Sequence, residues 1–184
     1  MTTALYGGVF DPPHNGHVAL LREAQKRFAP EATTVLVAAA PGHKATVASA
    51  DERLELARAA FPGEDVRLDE HERSVDTLRA GPWRDPIFLI GADEFCHFLD
   101  WKEPQEVLEL ARLGVATRPG YPRERLENVL RKLEQPERVL FFDLEPYPIA
   151  SREVRDRIAR EESVDDEVPP AVAELIRRHD LYRG

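Results

Sequence analysis

The stretch that decides the fold is Gly7-Gly8-Val9-Phe10-Asp11-Pro12-Pro13-His14-Asn15-Gly16-His17. It follows a short apolar, strand-like segment at residues 4–6 and leads into a segment with strong helical periodicity. Glycines let a backbone approach a ligand closely, and prolines stiffen a loop. The free N–H groups and the positive dipole end of a helix favour a phosphate. Two histidines three residues apart, one just before the predicted helix and one in its first turn, therefore mark a candidate phosphate site.

Strand-like and helix-like patterns alternate along the rest of the chain. The predicted strands lie near 3–7, 33–38, 66–68, 87–90, 114–117 and 139–142. The predicted helices lie near 16–28, from a Ser49–Glu52 capping box to Pro62, from about 91 to 112 with a break near 101–104, and near 122–134, 151–161 and 169–179.

Several of the predicted strands are apolar on both faces, which is typical of a parallel sheet covered by helices on two sides. The chain shows no repeat, linker or break in composition. We therefore expect one α/β domain over residues 1–184, with a Rossmann-like, doubly wound parallel sheet, helices on both faces, and C-terminal helices that close a nucleotide site.

Composition limits the class of protein. The 184 residues are 42% hydrophobic and 32% charged, which is ordinary for a soluble globular protein, and the net charge of −9 argues against broad binding to nucleic acid. The single cysteine, Cys96, excludes an internal disulfide and fits a reducing compartment. No secretion signal is visible, and the longest apolar run, at 35–40, is too short to cross a bilayer. We expect a cytoplasmic protein with no nucleic-acid or membrane partner.

Four loops that follow predicted strands carry polar groups. They are the first loop, at residues 7–17, and the loops at 41–44, 91–93 and 149–155. Because ligands bind beyond the carboxyl ends of parallel strands, these loops should share one rim of the sheet and form one site. The side chains there that could act as cations or donors are His14, His17, Lys44 and Arg155, with Ser151 as the predicted N-cap of its helix.

Several kinds of chemistry are excluded by what the sequence does not contain. No serine or cysteine stands beside a base as a nucleophile would, no His/Cys cluster has metal-ligand spacing, and the Walker glycine-lysine pattern is absent. What is left is a set of phosphate-neutralising groups without a covalent partner. Phosphoryl or nucleotidyl transfer can proceed on such a set, because positioning and charge stabilisation supply most of the catalysis.

The first loop resembles the Gly-Gly-x-Phe-x-Pro-x-His-x-Gly-His signature of the nicotinate (or nicotinamide) mononucleotide adenylyltransferases. These enzymes belong to a nucleotidyltransferase superfamily that is marked by a His-x-Gly-His core, here residues 14–17. The similarity extends to the Pro41–Lys44 loop, Asp76-Thr77-Leu78 at a helix start, Gly91-Ala92-Asp93, Trp101, Ile149–Arg155 and the closing segment 168–182.

The resemblance implies that ATP and a pyridine mononucleotide react to give the dinucleotide and pyrophosphate. The mononucleotide phosphate would attack the α-phosphorus in line, without an enzyme-bound intermediate, and Mg²⁺ would be carried by the triphosphate, so no protein metal ligand is expected. His14, His17 and Arg155 would be catalytic. The implied ATP-binding residues are Gly7, Gly8, Val9, Phe10, Gly91, Asp93, Ser151 and Arg152. The implied mononucleotide-binding residues are Lys44, Ser74 and Trp101.

The chain departs from the family pattern at three places. Glu72-Arg73-Ser74 stands where the family usually has Ser-Tyr-Thr, so that Arg73 replaces an aromatic residue beside the pyridine pocket. Ala150 and Arg152 replace a serine and a threonine of the triphosphate motif, and Arg152 would either add a phosphate contact or face solvent. Gly42 replaces a proline, which should loosen its loop. These departures leave the choice between nicotinate and nicotinamide open.

Each candidate also has a structural interpretation. Trp101 could be a core residue, Asp93 only a helix cap, Lys44 a solvated lysine, and Arg155 an exposed helix arginine. The competing functions are transfer to another phosphorylated acceptor such as phosphopantetheine, use of CTP, a non-catalytic nucleotide-binding protein, and a fragment of an aminoacyl-tRNA synthetase.

Overall fold

The structure is a computed structural model, and it describes residues 1–42 and 45–183. The described residues form six strands, joined in parallel pairs in the order β3-β2-β1-β4-β5-β6. Their bounds are β1 Thr3–Gly8, β2 Ala32–Ala38, β3 Asp65–Asp69, β4 Pro86–Gly91, β5 Arg112–Thr117 and β6 Val139–Asp143. The direction in which the strands are laid down reverses between β1 and β4, so this is the switch point where ligands of doubly wound sheets bind.

Eight helices connect or follow these strands within the described residues. They are α1 Asn15–Phe28, α2 Ala50–Ala60, α3 Ser74–Ala80, α4 Ala92–Phe95, α5 Pro104–Leu110, α6 Arg123–Leu130, α7 Ser151–Ala159 and α8 Pro170–Arg178. Short 3-10 turns cover Phe98–Asp100 and Pro136–Arg138. The predicted alternation is confirmed, and so is the break near 101–104, where Glu103 has a φ of 51° and Pro104 begins α5.

Alternate strand residues face opposite sides of the sheet, as the pleat requires. In β1, Ala4 and Tyr6 pack into one core, whereas Leu5 packs into the other. Helices α1, α2, α7 and α8 contribute to the first core, and α3, α4, α5 and α6 contribute to the second. The predicted doubly wound sheet with helices on both faces is therefore confirmed.

Helices α2 and α3 show where local sequence patterns predict a helix and where they do not. The capping box of α2 forms as predicted: the Glu52 N–H donates to Ser49 Oγ at 3.3 Å, and the Ser49 N–H donates to Glu52 Oε2 at 2.7 Å. Helix α3 was not predicted from periodicity, because it has only seven residues and Arg73 at its N-cap makes no side-chain cap. No helix in the described part of the chain has the length and apolar character needed to cross a membrane.

Candidate active site

Three adjoining cavities lie at the carboxyl ends of the strands, around the switch point. The central cleft, of about 610 Å³, is lined by the first loop, His17, Gly91 and the start of α7. The α3-side cavity, of about 370 Å³, shares residues 7–9 with the central cleft. The β5-side cavity, of about 240 Å³, shares His17 and Gly91 with it. The three cavities thus form one trough with room for an elongated ligand.

The two histidines of the first loop are oriented by backbone N–H groups. The Gly16 N–H donates to Nδ1 of His14, and the His14 N–H donates to Nδ1 of His17, each at 3.1 Å. Because each Nδ1 accepts, the proton of each neutral ring is on Nε2, so both rings present an N–H donor. The rings are stacked with centroids 3.7 Å apart. A Cβ at position 16 would lie 3.0 Å from the His14 ring, which explains the glycine between them.

His14 is a donor rather than a cation. The side chain caps α1, and the residue is only 8% exposed. Burial lowers the pKa of His14 to about 4, so the ring is neutral at pH 7. The sequence allowed either a charged or a neutral role, and the structure favours the neutral one.

Phe10 supports His17 from the core. Its φ of 52° turns the ring inward, where it is 2% exposed and contacts the His17 ring edge-on with centroids 5.1 Å apart. A Cβ at position 8 would lie 2.6 Å from the Phe10 ring, so the second glycine leaves room for this packing. Residues 7–10 line the cleft, and Phe10 also belongs to the core.

Helix α7 is anchored to the first loop by two side chains. Ser151 Oγ donates to the carbonyl of Pro12 at 2.9 Å, and Arg155 Nη1 donates to the carbonyl of Asp11 at 2.6 Å. The prediction that Ser151 caps this helix was wrong: Ala150 is the N-cap, and its N–H donates to the Glu153 carboxylate at 3.1 Å. The hydroxyl of Ser151 is used on the neighbouring loop instead.

Arg155 and Arg152 differ in burial. The Arg155 side chain is 25% exposed and lines the cleft together with His17, so the structure brings these two distant residues together. The Arg152 side chain is 84% exposed, with its Nε 3.9 Å from Asp156 Oδ2. Arg152 stands at the mouth of the cleft and is largely in solvent.

Sequence reasoning missed the buried Asp11. Its carboxylate accepts from the N–H groups of Val47 and Ala48, at 2.8 and 3.1 Å, and from the Tyr182 hydroxyl at 2.8 Å. Its position inside the first loop was the only signal available, because its partners lie far away in the sequence.

Arg53, on α2, is a second buried charge that sequence reasoning missed. It is 1% exposed and donates to the carbonyls of Val9 at 2.9 Å, Ala38 at 2.7 Å and Ala39 at 3.2 Å. Burial lowers the pKa of Arg53. Its guanidinium ties the end of β2 to Val9 of the first loop, which lines the cleft.

The α3-side cavity is lined by Ser74 and Trp101. The Trp101 ring is half-buried and packs edge-on against Phe88 and Phe98, with centroids 6.2 and 5.3 Å apart. Trp101 therefore contacts the core and also lines the cavity, and its role in binding the mononucleotide stays a prediction. Lys44, predicted for the same ligand, lies outside the described residues.

The β5-side cavity contains Asp93, whose Oδ1 accepts from the Tyr121 hydroxyl at 2.9 Å. Asp93 is not the cap of α4, because Gly91 occupies that position without a side-chain bond. Tyr121 was missed, although the Pro119-Gly120 turn before it, with a φ of 79° at Gly120, was a visible signal. Within the described ranges, no group of three His, Cys, Asp or Glu side chains could hold a metal ion.

Known proteins resemble the chain over its whole length. The model of the cytidylyltransferase-like family matches residues 5–157. A relative from Thermus thermophilus, named "Probable nicotinate-nucleotide adenylyltransferase", is 37% identical, with 100% of both chains covered. Another of that name from Solibacter usitatus is 35% identical, with 99% of this chain and 100% of the other covered. This chain belongs to the nicotinate-nucleotide adenylyltransferase family.

Solved structures agree on the fold of this adenylyltransferase family member. The nicotinic acid mononucleotide adenylyltransferase of Plasmodium falciparum in complex with NaAD has a TM-score of 0.75 at 17% identity, with 98% of this chain and 97% of that chain covered. The same Plasmodium enzyme in complex with APC has a TM-score of 0.72. Family and fold together confirm the predicted nucleotidyltransferase class.

Two departures from the family signature touch each other in this adenylyltransferase. A Cβ at Gly42 would lie 2.2 Å from Oε1 of Glu72, so the glycine leaves the space that the Glu72 side chain occupies. Glu72 Oε1 in turn pairs with Arg73 Nη2 at 3.1 Å. Gly42, Glu72 and Arg73 therefore form one local group beside the α3-side cavity.

Proposed function

We propose that this chain transfers the adenylyl group of ATP to nicotinate mononucleotide, releasing pyrophosphate and forming a dinucleotide of NAD biosynthesis. Family membership supports the reaction. One observation supports placing this reaction in the trough. His17 and Arg155 both line the central cleft, which lies between two cavities that can each take one end of a dinucleotide.

In this proposal the central cleft holds the triphosphate. The Nε2–H groups of His14 and His17 donate to phosphate oxygens, and the Arg155 guanidinium, Ser151 and the start of α7 receive the β- and γ-phosphates. An oxygen of the mononucleotide phosphate attacks the α-phosphorus, and the bond from that phosphorus to the β-phosphate oxygen breaks. Donors that already point to where charge develops lower the barrier without reorganising during the step.

The two flanking cavities would hold the nucleosides. The mononucleotide ring lies in the α3-side cavity against Trp101, with Ser74 and Lys44 as further contacts. The adenosine lies in the β5-side cavity, near Gly91. There the Tyr121 hydroxyl orients the Asp93 carboxylate, which can accept from ribose hydroxyls.

In this proposal Mg²⁺ binds together with ATP, on the triphosphate. The donors at the cleft, imidazole N–H, guanidinium and hydroxyl, suit phosphate oxygens. Its carboxylates are Glu94 and Asp11, and the Asp11 carboxylate already accepts three hydrogen bonds. Such a donor set fits a metal whose ligands are phosphate oxygens and water. Residues 1–184 as one domain and a cytoplasmic location stay predictions.

Nicotinamide mononucleotide is a second candidate acceptor. The α3-side cavity is lined by side chains of both signs, including Glu72 and Arg73, which pair with each other. Lys102, another cation of this cavity, is paired with Asp76. Cations that are already paired attract the nicotinate carboxylate less, which favours the neutral amide as an alternative acceptor.

The test supplies the purified protein with ATP and Mg²⁺ and with nicotinate or nicotinamide mononucleotide in separate reactions. Dinucleotide and pyrophosphate should form in equal amounts, with nicotinate as the better acceptor. A third reaction replaces ATP by CTP, which should give no product. The absence of a dinucleotide with either acceptor would contradict the proposal.

A further inference from the structure

We propose that Tyr182 is a positioning residue for the phosphate-binding groups: through Asp11 it keeps Arg155 directed toward the central cleft. The Ile149–Arg155 motif does not itself indicate that Tyr182 helps to orient Arg155. The inference rests on the proposed adenylyl transfer, because it concerns the residues that would hold ATP.

The C-terminal segment returns to the first loop after a left-handed turn. Tyr182 is 7% exposed and lies 171 positions after Asp11, yet its hydroxyl donates to Asp11 Oδ1 at 2.8 Å. Its φ is 65°, and that of Asp180 is 52°. A bulky residue adopts such a conformation only when the surrounding structure imposes it. The hydroxyl is therefore held in place by the fold around it.

The Tyr182 hydroxyl remains a donor. Burial raises the pKa of Tyr182, and the negative charge of Asp11 raises it further. The hydroxyl is thus protonated throughout the working pH range. With the N–H groups of Val47 and Ala48, it gives the buried Asp11 carboxylate three hydrogen-bond donors.

Asp11 has two acceptors within reach of Arg155. Arg155 Nη1 donates to the Asp11 carbonyl at 2.6 Å, and the same nitrogen lies 3.9 Å from Asp11 Oδ2. A carboxylate attracts a guanidinium more strongly than a carbonyl does, and a buried carboxylate that loses a donor needs a replacement. Without the Tyr182 hydroxyl, Arg155 should shift toward the carboxylate and away from the cleft. Tyr182 therefore keeps Arg155 available for phosphate.

The test compares the wild type with Tyr182→Phe, which removes one oxygen, and with Ile176→Val. Ile176 is 4% exposed on α8, so its truncation loosens the packing of the same C-terminal region without touching Asp11. We expect Tyr182→Phe to raise KM for ATP about tenfold, the scale for one hydrogen bond to a charged group, and to leave KM for nicotinate mononucleotide unchanged. Ile176→Val should lower the melting temperature and leave both KM values unchanged.

A double-mutant cycle with Arg155→Lys identifies the route of the effect. If Tyr182 acts through Arg155, Tyr182→Phe should change KM for ATP by less than about twofold in the Arg155→Lys background. Equal effects in both backgrounds would overturn the proposal, and so would an unchanged KM for ATP in the single variant. The same comparison can be made by calorimetric binding of a non-hydrolysable ATP analogue. A wild type that binds the analogue but makes no dinucleotide would refute the proposed function and leave the positioning inference testable.

Discussion

The central cleft and the α3-side cavity lie side by side, but their side chains are held in different ways. At the cleft, His17 accepts from a backbone N–H group, and so does His14 in the adjoining β5-side cavity, while Ser151 and Arg155 donate to backbone carbonyls. Around the α3-side cavity, partly or largely exposed side chains pair with one another: Glu72 with Arg73 at 3.1 Å and Asp76 with Lys102 at 3.1 Å. The His71 side chain, 41% exposed, lies 2.9 Å from the more buried Asp69 carboxylate.

This difference has a physical consequence. Groups fixed by the backbone in a partly buried site need little reorganisation when charge develops on a ligand. Exposed ion pairs contribute only about 0–1 kcal/mol each and rearrange readily. The end of the trough assigned to adenylyl transfer is thus preorganised, whereas the end assigned to the acceptor is adjustable. The departures at Gly42, Glu72 and Arg73 lie at the adjustable end.

The largest expected effect is on turnover, from His17→Ala. Removing a preorganised donor should lower kcat by a hundredfold or more, about 3 kcal/mol, while the circular dichroism spectrum and melting curve stay close to those of the wild type. Steady-state kinetics with saturating ATP measure it. His97→Ala, which alters an exposed histidine at the α3-side cavity, is the matched control and should change kcat by less than about threefold. An unaltered kcat for His17→Ala would show that His17 has no catalytic role and would contradict the placement of the reaction in the cleft.

Replacing the buried Arg53, which supports the first loop, should lower the stability of the fold. Arg53→Met leaves the carbonyls of Val9, Ala38 and Ala39 without their buried donor, and we expect the free energy of unfolding to fall by about 3 kcal/mol. Urea denaturation measures it. Arg58→Met, on the exposed side of the same helix, should cost less than about 0.5–1 kcal/mol. Equal losses in the two variants would show that Arg53 does not support the first loop.

The sequence predicted the parts of the molecule whose information is local. The parallel α/β order, the capping box at Ser49 and the first loop all follow from periodicity, capping pairs and glycine placement. The family resemblance indicated a helix start at Asp76-Thr77-Leu78, but periodicity did not reveal α3, because seven residues are too few to show a period. The N-cap prediction for Ser151 was wrong because its hydroxyl bonds to Pro12, 139 positions away.

The residues that support the site could not be found in the same way. Asp11 meets Val47 and Tyr182 across 36 and 171 positions, and Arg53 meets Val9 across 44. No local pattern indicates such pairs, and an arginine in an arginine-rich chain gives no sign of being buried. The catalytic candidates were visible because each lies within a short sequence motif, His14 and His17 in the first loop and Arg155 in the segment 149–155. Their supports were invisible because they depend on tertiary packing.

His14 offers a pH test of the preorganised region. Its pKa is about 4 in the folded protein and about 6.5 when unfolded, so between these values the unfolded chain binds more protons. The resulting stability is fully present above pH 6.5 and is lost as the pH falls toward 4, by up to about 3 kcal/mol. Denaturation midpoints from pH 4 to 7 measure it. His14→Asn, whose amide oxygen can still accept from Gly16, should flatten this dependence, while His97→Asn should retain it.

The smallest expected effect comes from Arg73→Ala, at the adjustable end. The Arg73 and Glu72 side chains are 49% and 53% exposed, so a guanidinium contact to the nicotinate carboxylate would be weakened by solvent and by its acidic neighbour. We expect KM for nicotinate mononucleotide to rise by no more than about fivefold, and KM for nicotinamide mononucleotide to stay constant. Arg79→Ala, which removes an arginine of α3 paired with Glu103 and Glu106, should change neither value. A rise of about a hundredfold in KM for nicotinate mononucleotide alone would mean that Arg73 is held as rigidly as the cleft residues. That result would contradict the contrast between the two ends of the trough.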